Sequence, residues 1–283
     1  MLKIDTMYKE FGHIELVYDE GSSREDSYLI GDGIFGVFDG YPDFKKLVYK
    51  DGRTGGIVAS SLVKEVFASS NNKDLADIAV EANNKLSDRA LGEHVDLTDK
   101  MSLCGTTAAV VRFNGESLDW LQIGDSLILI INIDGSFRLL FEGYDLDKEV
   151  LLIWKQSADK KEKDIMPIML GGPLIELRKK ANVEYGTLNG EEGMRSFIQS
   201  GKLDLSGVSD ILIFTDGIFL PKEDPARDDD WTKFVGLYQK SGLIGVVGYV
   251  RQLEREDPCC WKYPRYKQFD DITAISISRK KRY

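Results

Sequence analysis

Histidine is nearly absent from this chain: His13 and His94 are the two in 283 residues. Cysteine is scarce as well, with Cys104, Cys259 and Cys260 only. Nothing here has the spacing of a zinc site, and adjacent residues such as Cys259 and Cys260 rarely pair, so no disulfide framework is expected. A reducing cytoplasm is the simplest home for such a chain. No apolar run approaches membrane-spanning length, and no membrane partner is expected. The start, Met1-Leu-Lys-Ile-Asp-Thr, lacks the apolar core and small-residue cleavage site of a signal peptide. Positive charge is the third shortage. Lys plus Arg is 37 against 47 Asp plus Glu, a net charge of −10. That disfavours non-specific binding to nucleic acid or anionic lipid. There is no internal repeat and no linker rich in Pro, Gly or Ser.

What the chain has instead is carboxylates at the ends of apolar strands. Ile34-Phe-Gly-Val-Phe reads as a buried strand and stops at Asp39-Gly40. Ile211-Leu-Ile-Phe-Thr stops at Asp216-Gly217 in the same way. Asp270-Asp271 precedes the strand Ile272–Ile277, and Glu25-Asp26 precedes Ser27–Ile30. Any one of these is a common strand cap. Four of them converging would repel one another unless cations sat between them, and oxygen ligands without Cys or His suit Mg²⁺ or Mn²⁺.

The remaining pattern is α+β. Residues 11–18 form a first strand, and a hairpin surrounds Gly31-Asp-Gly33. Residues 41–54 read as a surface loop, followed by helices over 55–68 and 74–91. Four strands then run from Gly105 to Phe141 around the turns Asn114-Gly115, Gly124-Asp125-Ser126 and Asp134-Gly135, which predicts an antiparallel meander. Val150–Trp154 suggests a strand, Lys155–Lys163 a loop, and 191–200 a short helix. Amphipathic helices are expected over 225–240 and 243–255. Residues 258–269 form an aromatic, basic loop before the last strand.

In order, Arg24-Glu25-Asp26-Ser27, Phe35-Gly-Val-Phe-Asp39-Gly40, Gly105-Thr-Thr-Ala108, Ile123-Gly-Asp125-Ser126, Phe214-Thr-Asp216-Gly217 and Asp270-Asp271-Ile-Thr273 resemble the motifs of the metal-dependent protein phosphatases of the protein phosphatase 2C type. Leu188-Asn-Gly190 and Leu212–Asp216 also resemble bacterial members. The resemblance runs from about 11 to 278 and implies a single phosphatase domain over 1–283. Its fold would be a four-layer α/β/β/α sandwich, two antiparallel sheets flanked by helices.

The resemblance also implies roles. Asp39 would bridge two cations, the Gly40 carbonyl, Asp216 and Asp270 would be further ligands, and Glu25 would lie on or near the second ion. Asp26 would order water, and Asp125 would help hold a weak or absent third ion. Two divalent ions sharing a water lower its pKa towards neutrality and screen the charge of an approaching phosphate. Hydrolysis of phosphoserine or phosphothreonine in a protein then needs no covalent intermediate. The implied enzyme is a cytoplasmic monomer that uses two Mg²⁺ or Mn²⁺ and acts on phosphorylated proteins in signalling.

Several positions depart from the family pattern. Gly40 is followed by Tyr41-Pro42-Asp43 where the family has a His, a candidate general acid. His13, in a strand, and His94, after a helix, read as structural. Arg24 directly precedes the acidic pair; its guanidinium either forks onto a phosphate or pairs with its acidic neighbours. Leu220 stands where the family often has an Asp. Thr106, Thr107 and Cys104 read as structural. Tyr263, Arg265, Tyr266 and Lys267 either line the substrate approach or pack on the sandwich. Residues 142–190, between the Asp125 and Asp216 motifs, are placed to form a lid. Two rival functions follow from the departures: a pseudophosphatase with a binding or regulatory role, and a phosphatase of a small phosphorylated metabolite.

Overall fold

The computed structural model describes residues 10–70, 73–162 and 164–280. The run Met1–Thr6 and Lys163 of the expected charged loop lie outside the described residues. The strands are β1 (Phe11–Asp19), β2 (Ser27–Ile30), β3 (Ile34–Phe38), β4 (Gly40–Tyr41), β5 (Gly105–Thr106), β6 (Ala108–Asn114), β7 (Ser117–Ile123), β8 (Leu127–Asn132), β9 (Phe137–Leu139), β10 (Gln199–Asp204), β11 (Val208–Phe214) and β12 (Ile272–Arg279). The helices are α1 (Gly55–Ser69), α2 (Leu75–Gly92), α3 (Lys148–Asp159), α4 (Met166–Leu170), α5 (Pro173–Lys180) and α6 (Trp231–Glu256).

Two antiparallel five-stranded sheets result, ordered β1-β12-β11-β8-β9 and β10-β7-β6-β3-β2, with β4 and β5 as a separate pair. Their strands read as continuous apolar runs because both faces are covered. In β6, Ala109 and Val111 point into the space between the sheets, while Ala108 and Val110 face α1 and α2. In β11, Ile211 and Ile213 point inward, while Leu212 and Phe214 face α6. The inner layer joins Phe35 and Val37 to Ile128, Ile130 and Ile275. The layers are therefore helices, sheet, sheet, helix, as expected. Among the described residues no helix is long and apolar enough to cross a membrane.

Four local expectations need correction. The meander is two hairpins in different sheets: β7 pairs with β6 and β10, and β8 pairs with β9 and β11. Gly124, at φ +83°, carries the chain across. Strands buried on both faces carry no sign of which neighbour they will pair with. Val150–Trp154 is helical, in α3, which also takes up Lys155–Asp159 of the expected loop. Its β-branched run is overridden by packing at helical spacing, because Val150, Trp154 and Ala158 meet Ile165, Met169 and Cys260. The helix over 191–200 is a 3₁₀ turn, Glu192–Phe197, that leads into β10, a polar edge strand with Leu203 as its one buried residue. Residues 225–230 precede the helix; Asp230 caps α6, which breaks at Gly242 with φ +68°.

Candidate active site

Strand register brings the carboxylates to one end of the sandwich. Phe214 pairs with Ala274 on one side and Leu127 on the other, so Asp216, Asp270 and Asp125 emerge at the same edge of their sheet. In the facing sheet Ser27 pairs with Phe38, which puts Asp26 and Asp39 side by side. The small β4–β5 pair and a hydrogen bond from the Thr107 N–H to the Asp39 carbonyl, 2.9 Å, fix the turn at Asp39-Gly40. Gly40 has no room for a side chain: a Cβ would lie 2.4 Å from the Gly56 carbonyl oxygen and 2.5 Å from that of Glu25.

Glu25 is buried and tied to α1. The Thr54 hydroxyl donates to Glu25 Oε1 at 2.5 Å and accepts the Ile57 N–H, so one side chain caps the helix and fixes the carboxylate. Ser60 Oγ donates to the Glu25 carbonyl at 2.6 Å. Asp26 is buried behind it, with Oδ2 accepting from the Thr215 hydroxyl at 2.9 Å. Asp271 does not face the centre. Its carboxylate accepts the N–H groups of Gly21, Arg24 and Glu25 and shapes the loop that presents the acidic pair.

The charges are unbalanced. Burial raises the Asp39 carboxyl well above the usual range, and Asp26 and Asp216 add to it. Burial does the same to Asp125, followed by Asp216 and Asp147. Asp216 is raised by burial and by Asp270, and Glu25 by burial. Asp26 is pushed up to about 7 by burial, which outweighs the nearby Thr273 and Thr215 hydroxyls, the latter hydrogen-bonded to it. Asp26 Oδ1 and Asp125 Oδ1 are buried without a hydrogen-bond partner. Orphaned carboxylate oxygens in an all-oxygen set fit a hard divalent cation. Among the described residues, however, no three acidic, His or Cys side chains close into a preassembled cage. Asp270 is held instead by Lys267, at 2.5 Å.

One residue was missed in the sequence, and the contact made by a second was not foreseen. Asp147, at the start of α3, accepts from the Tyr266 hydroxyl at 2.8 Å. Its carboxyl is pushed up to about 7 by burial and then by Asp216. Its signal was an acid directly before an apolar helix, hidden while that helix read as a strand. Lys267 was offered in the sequence as lining the substrate approach or packing on the sandwich, without its contact to Asp270. A cavity of about 210 Å³ is lined by the acids Asp125, Asp147, Asp216 and Asp270 and by the apolar residues Leu146, Phe219 and Leu220. Leu220, in place of the family's Asp, thus makes apolar wall.

The other expected residues divide between the cavity and the surrounding packing. The Arg24 side chain is 71% exposed and pairs with Glu20 at 3.3 Å. Tyr41 turns its hydroxyl to Thr187 Oγ1, 2.9 Å away, and its ring packs under the Arg178 guanidinium. Arg265 borders the cavity, but its donors are spent on its own loop, on Asp257 and the carbonyls of Glu254, Tyr263 and Gln268. Tyr263 is buried, whereas Tyr266 lines the cavity. His13 lies in β1 and His94 just beyond α2, and neither lines the cavity. Cys104 is buried beside the Tyr49 hydroxyl. Of the stretch placed to form a lid, 142–147 and Leu151 border the cavity, and α3 and α4 pack on the 258–269 loop, with Trp154 Nε1 donating to the Cys260 carbonyl at 2.8 Å.

Comparison with known proteins gives one family. The model of the protein phosphatase 2C family matches residues 49–242, a span that includes Asp125 and Asp216. No curated protein matches the sequence. Among solved structures, the Mycobacterium tuberculosis serine/threonine phosphatase PstP is similar at 19% identity and TM-score 0.56, covering 94% of this chain and 97% of its own. The catalytic domain of PstP in complex with two manganese ions is similar at 17% identity and TM-score 0.55, covering 94% and 97%. The serine/threonine phosphatase Stp1 from Staphylococcus aureus is similar at 16% identity and TM-score 0.55, covering 98% and 99%. At these identities the likeness is one of fold.

Proposed function

The chain belongs to the protein phosphatase 2C family, and from that membership we propose that it is a divalent-metal-dependent phosphatase of phosphoserine or phosphothreonine in proteins. The observation that carries the reading is the set of carboxylates Asp26, Asp39, Asp125, Asp216 and Asp270 at one end of the sandwich, each of the others near enough to raise Asp39 further. Two buried oxygens among them have no partner. A solved relative holding two manganese ions supports the same cofactor class.

In this reading Asp39, Asp216 and Asp270 would hold the ions, with the Gly40 carbonyl and Glu25 as further donors and Asp125 as a donor to any weaker third ion. When bound, such ions lower the pKa of a water and offset phosphate charge. The protein supplies the rest. Asp26, fixed by Thr215, accepts a hydrogen bond from the attacking water and orients it for in-line displacement. The backbone staple at Asp271 keeps Glu25 and Asp26 aimed at the centre. Tyr41 takes no part in protonating the leaving group: its hydroxyl is bonded to Thr187, and burial pushes its pKa up to about 12.

The test is phosphate release from a phosphothreonine peptide with added Mn²⁺, for the native chain and Asp39→Asn. Metal-dependent turnover lost in the variant supports the reading. Turnover of small phosphorylated metabolites alone would move the substrate class. Absence of both turnover and metal binding would leave a family fold kept for binding.

A further inference from the structure

Seven carboxylates, Glu25, Asp26, Asp39, Asp125, Asp147, Asp216 and Asp270, make a poor host for a phosphate dianion, and a cation of the protein's own beside any bound metal would favour it. The basic side chains at this end of the sandwich are mostly committed. Arg24 lies outside on Glu20. Arg251 is shared among Asp19, Glu254 and the Asp270 carbonyl. Arg265 is occupied within its loop. Lys222 pairs with Asp229 at 3.1 Å.

Lys267 differs. Its ammonium donates to Asp270 Oδ1 at 2.5 Å, and that oxygen also accepts the Asp271 N–H at 2.8 Å. An ammonium has three donors, and this is its one hydrogen bond among the described residues, which leaves two for acceptor oxygens. The side chain remains 34% exposed, so a ligand can reach it. A compact, charged group with free donors beside a candidate hydrolytic centre matches a tetrahedral oxyanion.

We propose that Lys267 binds the phosphoryl group of the substrate, in the role for which the sequence offered Arg24. This rests on the phosphatase reading above and names the group that recognises its substrate. The ion pair with Asp270 sets the ammonium at the edge of the centre, and a phosphate there would take up its remaining donors.

The experiment compares the native chain with Lys267→Gln, Lys267→Arg and Arg24→Ala. Inorganic phosphate is titrated into each Mg²⁺-loaded protein and followed by ³¹P NMR, and KM and kcat are measured on a phosphothreonine peptide. Mg²⁺ affinity is measured separately by calorimetry. In Lys267→Gln, phosphate affinity should fall on the order of tenfold or more, as expected for a lost charge-assisted hydrogen bond. KM should rise by a larger factor than kcat falls, and Lys267→Arg should recover part of the loss. A greater loss of phosphate affinity in Arg24→Ala than in Lys267→Gln would overturn the assignment. So would a Lys267→Gln protein that changes only in Mg²⁺ affinity, because the lysine would then be a counter-ion of Asp270 alone. Lys267-dependent phosphate binding without turnover in the native chain would sink the phosphatase reading and leave this assignment standing.

Discussion

Asp271 and Glu25, 246 positions apart in sequence, are joined by a hydrogen bond of 2.7 Å from the Glu25 N–H to Asp271 Oδ2. The other oxygen, Oδ1, takes the N–H groups of Gly21 and Arg24 at 2.8 and 3.0 Å. A residue that reads as a spare member of an acidic pair is therefore the template on which the Glu25-Asp26 loop is laid. Arg24, at φ +60°, pays a conformational cost that this staple offsets.

Asp271→Ala should therefore destabilise the protein by about 2–4 kcal/mol, the loss of charge-assisted hydrogen bonds that leaves buried donors unmet. The urea midpoint would report it. Divalent-ion affinity should fall too, since Glu25 loses its fixed backbone. A variant with an unchanged midpoint would show that the loop is held by other means.

Stability of the metal-free protein should fall as pH rises from 6 to 8. Asp26 and Asp147 have folded pKa values raised to about 7, above the roughly 3.9 of an unfolded Asp. A carboxyl raised on folding contributes its stabilisation fully below the unfolded value, and loses it as pH rises through the folded one. Asp39 and Asp125 shift in the same direction. Divalent ions bind the ionised forms, so adding Mg²⁺ should flatten or reverse the slope. Melting temperatures in EDTA at pH 6 and 8, with and without Mg²⁺, decide it; a higher value at pH 8 in EDTA would contradict the electrostatics of the centre.

Tyr41 stands where the family pattern has a histidine, yet it does structural work. Its hydroxyl meets Thr187 at 2.9 Å, and the Arg178 guanidinium lies 4.3 Å from its ring centre. Tyr41→Phe should cost about 1 kcal/mol in stability, one net hydrogen bond, and leave kcat on a phosphopeptide within about twofold. A fall in kcat of tenfold or more, with the fold intact, would return Tyr41 to the chemistry.

The layers were legible because strand ends carry punctuation: Asp39-Gly40, Asp216-Gly217 and Asp270-Asp271 mark where apolar runs stop, and the register then converges on them. The pairing of β7 and β8 was not legible, since residues such as Leu121 and Leu129 are buried whichever sheet they join. α3 was misread because Val150-Leu-Leu-Ile-Trp154 has strand composition, and its helical period appears only against Met169 and Cys260, which are distant in sequence. In the site, acidic positions were visible as residue types. The uses of Asp147, Lys267 and Asp271 were not, because each depends on partners supplied by the fold.

Gly56 gives the sharpest probe of Glu25. A Cβ there would lie 2.6 Å from both the carboxyl carbon and Oε1 of Glu25, closer than real side chains approach. Gly56 sits in the first turn of α1, where a non-glycine residue is otherwise well tolerated, and Ala has the better helix propensity by about 1 kcal/mol. In Gly56→Ala the Glu25 carboxylate must turn away, breaking its bond from Thr54. The fold should lose little, because propensity offsets part of the displaced contact. Divalent-ion affinity should fall on the order of tenfold, the equivalent of about 1.4 kcal/mol. Calorimetric titration with Mn²⁺, beside a urea denaturation curve, separates the two effects. Unchanged affinity with a native midpoint would remove Glu25 from the ligand set and leave it as a cap on α1.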